Sequence, residues 1–210
     1  MSSGARRSAQ LKLWGQKWLW YERNSLPWNR ARIHWEFLRR EAFVRWPVHG
    51  NVLEAMRQGR LEVGAQVLFE PNVWITAPGH ARIRIGEGTF LNQGVMVAAA
   101  DLVEIGNHCM LANGCFVADA DHRFDDPVRP VPWQGFTHKG PTRLGDNVWC
   151  GAHVVVTGGV TIGERCVIGA GSVVTHDIPP FSIAAGAPAK VIREIEYPGP
   201  APQTPSLSRS

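Results

Sequence analysis

The sequence has no uncharged apolar run near the roughly 20 residues that a membrane-spanning helix needs, so no such helix is expected. Its first residues include basic side chains with no apolar stretch behind them, which predicts no secretory signal. The four cysteines, Cys109, Cys115, Cys150 and Cys166, show no CxxC spacing. That argues against zinc and thioredoxin-like chemistry and, with no signal, predicts reduced thiols in a cytoplasmic protein. Charge is sparse, with 19% charged against 44% apolar residues in 210. This composition is globular rather than disordered and fits one domain with appendages. The net charge of +4 does not by itself imply a nucleic-acid partner.

The charge that is present is unevenly placed. Residues 1–60 hold 12 Lys and Arg against 4 Asp and Glu, and the rest hold 10 against 14. Six of the nine Trp lie in the same head: Trp14, Trp18, Trp20, Trp28, Trp35 and Trp46. A basic, Trp-rich head therefore precedes a mildly acidic body, and two jobs are expected.

The body repeats every six residues. Apolar side chains recur at Leu144, Cys150, Val156, Ile162, Ile168 and Val174. The same step appears at Val63, Phe69 and Ile75, at Ile85, Leu91 and Val97, and at Ile105, Leu111 and Val117. Two residues earlier stands a small or β-branched side chain, as at Val148, Val154, Val160, Cys166 and Ser172. Neither the helical nor the strand period gives this spacing. A parallel β-helix does, with three short strands per coil of about 18 residues. The recurring aliphatic fills the interior, and glycine supplies turn conformations. All four cysteines fall at core or small-residue positions, where a free Cys behaves as a small hydrophobe.

The repeat slips twice. Val97 to Ile105 spans 8 residues, and Val117 to Leu144 spans 27. The intervening ADADHRFDDPVRPVPWQGFTHKGPT is not hexad-like. It reads as a loop thrown out of the coil, and long loops in compact solenoids are usually functional.

The expected organisation is a helical, basic, Trp-rich extension over 1–58 and a β-helix over 59–187 with an excursion loop at 119–141. A cap segment at 188–196 and a disordered Pro/Ser-rich tail at 197–210 follow. In the extension, Leu11, Trp14, Trp18 and Tyr21 share one helical face. A second helix starts with Asn24 or Ser25 as cap and Pro27 in its first turn, with Ala31, Trp35, Leu38 and Ala42 on a common face. A third short helix covers 51–58. These helices either close the open end of the coil or, through residues 1–46, make peripheral contact with a membrane surface. No motif supports nucleic-acid binding.

Residues 141–195 resemble the hexapeptide-repeat acyltransferases, closest to the maltose/galactoside and polysaccharide O-acetyltransferase branch. The resemblance rests on GDNVWxG, then VTIG, GAGSVVT, DIPP and GxPAKVI in that order, and it extends over residues 60–195 but not over 1–50. It implies a left-handed parallel β-helix, a homotrimer with sites between subunits, and acetyl transfer from acetyl-CoA to a sugar hydroxyl or an amine, with no metal. His122 stands where the family keeps its general base, which takes the hydroxyl proton during attack on the thioester. Asn92, thirty residues earlier, matches the family's orienting Asn, which can also stabilise developing charge.

Donor contacts carry over to Trp149, Gly151, Ala152, Gly169 and Ala170 along the pantetheine. Thr175, His176, Lys190 and Arg193 serve the nucleotide end, where cations face phosphates. His176 replaces a Lys common in relatives. An acidic residue of sugar-acetylating relatives is not matched, since Ala99 and Ala100 stand there beside Asp101. Asp101, Asp121 and His138 are the candidate acceptor contacts. Of the other histidines, His34, His49 and His80 are expected outside the site, and His108 and His153 at turns.

The reading is therefore an acetyl-CoA-dependent O-acetyltransferase acting on a saccharide or glycolipid. The alternatives are N-acetylation of an amino sugar or nucleotide sugar, or a trimeric β-helix scaffold without catalysis. A γ-class carbonic anhydrase needs three histidines at repeat-related spacings, which the body does not have.

Overall fold

The structure is a computed structural model that describes residues 11, 12, 14, 15 and 26–196. Its body is a three-sided parallel β-helix. The first face stacks Phe43–Val44, Leu68–Phe69, Phe90–Leu91, Met110–Leu111, Trp149–Cys150, Val167–Ile168 and Ser182–Gly186. The second stacks Val48–Gly50, Val73–Thr76, Met96–Ala98, Phe116–Ala118, Val155–Val156 and Val173–Val174. The third stacks Leu61–Val63, Arg82–Ile85, Leu102–Ile105, Thr142–Leu144 and Thr161–Ile162. Every pairing between successive coils on these faces is parallel.

The hexad positions fill the interior as expected. From Val63 to Val174, each of the fifteen recurring apolar residues is buried. The small-residue positions Val148, Val154, Val160, Cys166 and Ser172 are buried as well. Burial pushes the Cys109 thiol up to about 11 and also raises Cys115, Cys150 and Cys166. These thiols are packing groups and poor nucleophiles.

In-register stacking sorts the outward side chains into columns with distinct chemistry. On the first face the column is Phe43, Leu68, Phe90, Met110, Trp149, Val167 and Ile183. On the second it is His49, Trp74, Met96, Phe116, Val155 and Val173. On the third it is Glu62, Arg84, Glu104, Arg143 and Thr161. Here charges alternate, with Arg84 at 3.4 Å from Glu62 and 2.9 Å from Glu104, and Arg143 at 2.6 Å from Glu104. Two outer faces are thus apolar and one is a charge ladder.

Coil pairing begins at Phe43, earlier than the expected boundary near residue 59. The first coil has a strand on each face, Phe43–Val44, Val48–Gly50 and Leu61–Val63. A helix, α2 (Val52–Arg57), is inserted at the corner between its second and third strands, which hides the hexad from the sequence. Val52, Leu53, Ala55 and Met56 are buried in the common core. Asn51 anchors this turn to the next coil. Its side-chain amide donates to the Ala77 carbonyl at 2.9 Å, and its carbonyl oxygen accepts from the Ala77 N–H at 2.9 Å.

Helix α1 (Pro27–Leu38) closes the N-terminal end. Its N-cap is Leu26, which makes no side-chain capping bond. The expected caps, Asn24 and Ser25, lie outside the described residues, as do Trp18 and Tyr21. Pro27 does occupy the first turn. The expected common face of Ala31, Trp35, Leu38 and Ala42 is corrected: the helix ends at Leu38, Ala42 is buried beyond it, and Ala31, Trp35 and Leu38 are exposed, while Ile33, Glu36 and Phe37 are buried. Phe37 meets Phe69 edge to face at 5.0 Å. The prism end accepts the compact Ile33–Phe37 pair, one turn apart. Burial favours the neutral form of Glu36. Hydrogen bonds and charges from Arg40 and Arg39 outweigh this and hold its carboxyl below the usual range. Residues 11, 12, 14 and 15 are helical, and Trp14 lies edge to face against Trp133 at 6.4 Å.

The C-terminal segment Ala189–Glu194 is a strand. It pairs antiparallel with Ser182–Gly186 and covers the last edge of the first face. The tail beyond residue 196 lies outside the described residues.

Removing the wedge between cap and coil tests this arrangement. Phe37→Ala should cost about 3–5 kcal/mol, read as a lower urea midpoint. An unchanged midpoint would show that α1 does not close the coil.

Candidate active site

The departures from the hexad share one place. Between the second and third faces, successive coils insert α2, residues 77–81, residues 99–101 and the excursion of residues 119–141. The later coils cross this corner tightly. The three insertions after α2, with the second-face strands beside them, border a cavity of about 510 Å³, lined by Trp74, Thr76, Pro78, Gly79, His80, Met96, Ala98–Ala100, Phe116, Ala118–Ala120, His122, Phe136 and His138.

The excursion leaves as an antiparallel hairpin, Ala120–His122 against Phe136–His138. Strand alternation sorts its side chains. Ala120, His122, Phe136 and His138 project to the cavity side and line it. The His122 ring lies over Phe136, with centroids 4.6 Å apart at 34°. Asp121, Thr137 and Lys139 take the other side, and Asp121 pairs there with Lys139. Gln134 ties the hairpin tip. It accepts from the Asp126 N–H at 3.0 Å and donates to the Asp126 and Arg129 carbonyls at 2.9 and 2.6 Å.

Asp119 holds the root. It is 2% exposed. Its carboxylate accepts the N–H groups of Ala100, Asp101 and Leu102 at 2.7, 2.7 and 2.6 Å. One side chain therefore closes the slipped turn of the neighbouring coil and fixes the strand that carries His122. From below, a Cβ on Gly158 would stand 2.6 Å from the Asp119 carbonyl, and one on Gly159 would stand 2.4 Å from that of Lys139. The glycine pair lets the hairpin lie directly on the next coil.

The expected site residues divide into groups. His122 and His138 share the cavity. His80, expected elsewhere, joins them because the loop of residues 77–81 is inserted at the same corner. Ala99 and Ala100 line the cavity, whereas Asp121 and Asp101 do not. Asp121 faces Lys139, and Asp101 is exposed, with its backbone N–H given to Asp119. Thr175 and His176, hydrogen-bonded to each other at 2.9 Å, stand on the His122 corner two coils on. His108 and His153 occupy turns with positive φ, as expected.

Asn92 lies at the opposite corner of the second face, where its amide donates to the Leu111 carbonyl at 3.0 Å. Backbone bonds stack it in one column with Ala112, Gly151, Gly169 and Ala185, and Lys190 pairs with Ala185 at the end. Ala152 and Ala170 follow in the same corner. Trp149 is half exposed on the adjoining face, and Lys190 and Arg193 are exposed on the last strand. A Cβ on Gly151 would meet the Ala170 nitrogen at 2.7 Å, and one on Gly169 the Ala185 Cβ at 2.8 Å. Coil stacking alone requires glycine there. One chain therefore presents two surfaces: an apolar cavity with imidazoles, and a column of small residues ending in cations.

The sequence reading missed Asp119, Phe136 and His80. The slip between Val97 and Ile105 was the available signal for Asp119, since two extra residues in a turn leave N–H groups that need acceptors.

Comparison with known proteins gives a consistent answer. The family model "Bacterial transferase hexapeptide (six repeats)" matches residues 141–176. "Probable acetyltransferase Rv3034c" of Mycobacterium tuberculosis is 32% identical over 216 residues, covering 97% of this chain and 70% of that protein. The crystal structure of a maltose O-acetyltransferase from Clostridium difficile 630 aligns at TM-score 0.59 and 37% identity, over 69% of this chain and 75% of that one. A galactoside acetyltransferase in complex with coenzyme A aligns at TM-score 0.57 and 36% identity, over 69% and 70%.

Asp119→Asn keeps the shape but turns an amide NH2 toward backbone donors. It should cost about 1–3 kcal/mol and make residues 120–138 more susceptible to limited proteolysis. Wild-type stability and cleavage would remove Asp119 from this role.

Proposed function

The chain belongs to the bacterial hexapeptide-repeat acetyltransferases, and from that premise we propose that it transfers an acetyl group from acetyl-CoA to a hydroxyl of a saccharide or glycolipid, with His122 as general base. The observation that carries this reading is the hairpin that aims His122 into the cavity. A sugar hydroxyl is a weak nucleophile at neutral pH, and a positioned imidazole offsets this by taking its proton during attack. The hydroxyl oxygen bonds to the acetyl carbon, the carbon–sulfur bond breaks, and the proton held by His122 passes to the departing sulfur. No nucleophilic side chain is needed, in keeping with the inert cysteines.

The donor fits the other surface. The small-residue column from Asn92 to Lys190 allows close approach of an extended pantetheine, Trp149 flanks it, and Lys190 and Arg193 offer cations to the phosphates. Asn92 sits on this side, positioned to orient the reacting groups. His138 and His80 share the cavity and offer hydrogen bonds to an acceptor.

The two surfaces occupy different corners, so the reaction requires a second copy to bring them together. The apolar columns of the first and second faces support a homotrimer. A cyclic assembly joins two different patches on each chain, and the charged third face is left for water. The active sites then lie between subunits.

His122→Ala should lower turnover by about 10²–10⁴-fold with acetyl-CoA binding retained. The measurement is thiol release with a panel of saccharides, and near-normal turnover would reject the assignment. Light scattering should give three times the chain mass, and Met110→Glu, on the first outer column, should reduce both mass and turnover. A fully active monomer would contradict the shared site.

A further inference from the structure

Helix α1 is apolar on both sides. Ile33 and Phe37 face the coil. On the opposite side, Trp28, Ala31, Trp35 and Leu38 form one stripe, with the two Trp 58% and 66% exposed and Leu38 58% exposed. An amphipathic surface helix buries one stripe and wets the other. A second stripe with two exposed Trp calls for something to cover it.

The charges around the stripe indicate what that is. Arg32 borders it along one edge, by helical geometry, while Arg39 at the C-cap turns to Glu36. The helix's one carboxylate, Glu36, is buried on the coil side and held by Arg39 at 2.6 Å and Arg40 at 2.5 Å. Residues 26–45 carry five arginines against two glutamates. Large amphipathic rings in the centre and arginine at the edge match the boundary between acyl chains and anionic headgroups. Among the described residues no helix is long and apolar enough to cross a membrane, and α1 is suited to lie flat.

We infer that the outer stripe of α1 docks the protein on an anionic lipid surface, with Trp28, Trp35 and Leu38 seated among the headgroups. The inference goes beyond acetyl transfer and does not require it. Rotation about an axis along the prism would bring the caps of a trimer to the same end, so that three stripes engage one surface and strengthen weak single contacts.

The full-length protein should sediment with phosphatidylglycerol–phosphatidylcholine vesicles at low salt, and less at high salt. Trp28→Ser with Trp35→Ser should lower the bound fraction about tenfold, and Arg32→Gln should lower it by about fivefold. Both changes lie away from the core and the cavity, so light-scattering mass and thiol release with a soluble saccharide should not move. Absence of sedimentation with anionic vesicles overturns the inference, as does binding unaffected by the double Trp change. A double variant that loses mass while the parent ignores vesicles would make the stripe a protein contact, and that also overturns it. Thiol-release activity is read separately and reports on acetyl transfer alone.

Discussion

Everything in this molecule depends on each coil lying in register on the one before it. Parallel main-chain hydrogen bonds fix residue against residue, so inward side chains stack on inward side chains for the length of the prism. A glycine such as Gly151 is required by the residue one coil on. The same registry gives each outer face a uniform character, apolar on two sides and charge-alternating on the third.

Registry also dictates where chemistry can be placed. An insertion within a face would break the stack, whereas one at a corner only lengthens a turn. Four consecutive coils insert at one corner, and the last three of those insertions border the cavity. The tight coils that follow form the floor on which the hairpin rests. Alternation in that hairpin then separates the imidazole side from the ion-paired side. Position within the coil, and not proximity in sequence, decides that His80 faces the cavity while Asp121 faces away from it.

Much of this could be read from the sequence because a six-residue step has one simple explanation. Each recurring aliphatic from Val63 to Val174 is interior, and the break after Val117 marked the excursion carrying His122. Four things were hidden. The first coil lost its signature because α2 is inserted between its second and third strands and breaks the six-residue step. The buried face of α1 was not legible because the helix carries two apolar stripes, Ile33 with Phe37 and Trp35 with Leu38, and periodicity cannot say which of the two meets the core. Asp119 escaped because its partners are backbone N–H groups, so the slip after Val97 marks a need for an acceptor without naming the side chain that meets it. The separation of Asn92 from His122 was equally invisible, since thirty residues is a spacing along the chain and not a distance.

The closed ends have a consequence for assembly. A parallel β-helix grows by adding strands to an open edge, and nothing in its repeat says when to stop. At one end α1 and α2 lie across the first coil, and at the other Ala189–Glu194 runs antiparallel over the last rung of the first face. An antiparallel strand presents the wrong polarity to another parallel coil. These two plugs act as terminators. Without them the prism would offer a template at each end, and chains would be prone to add head to tail into a filament whose axis is the prism itself.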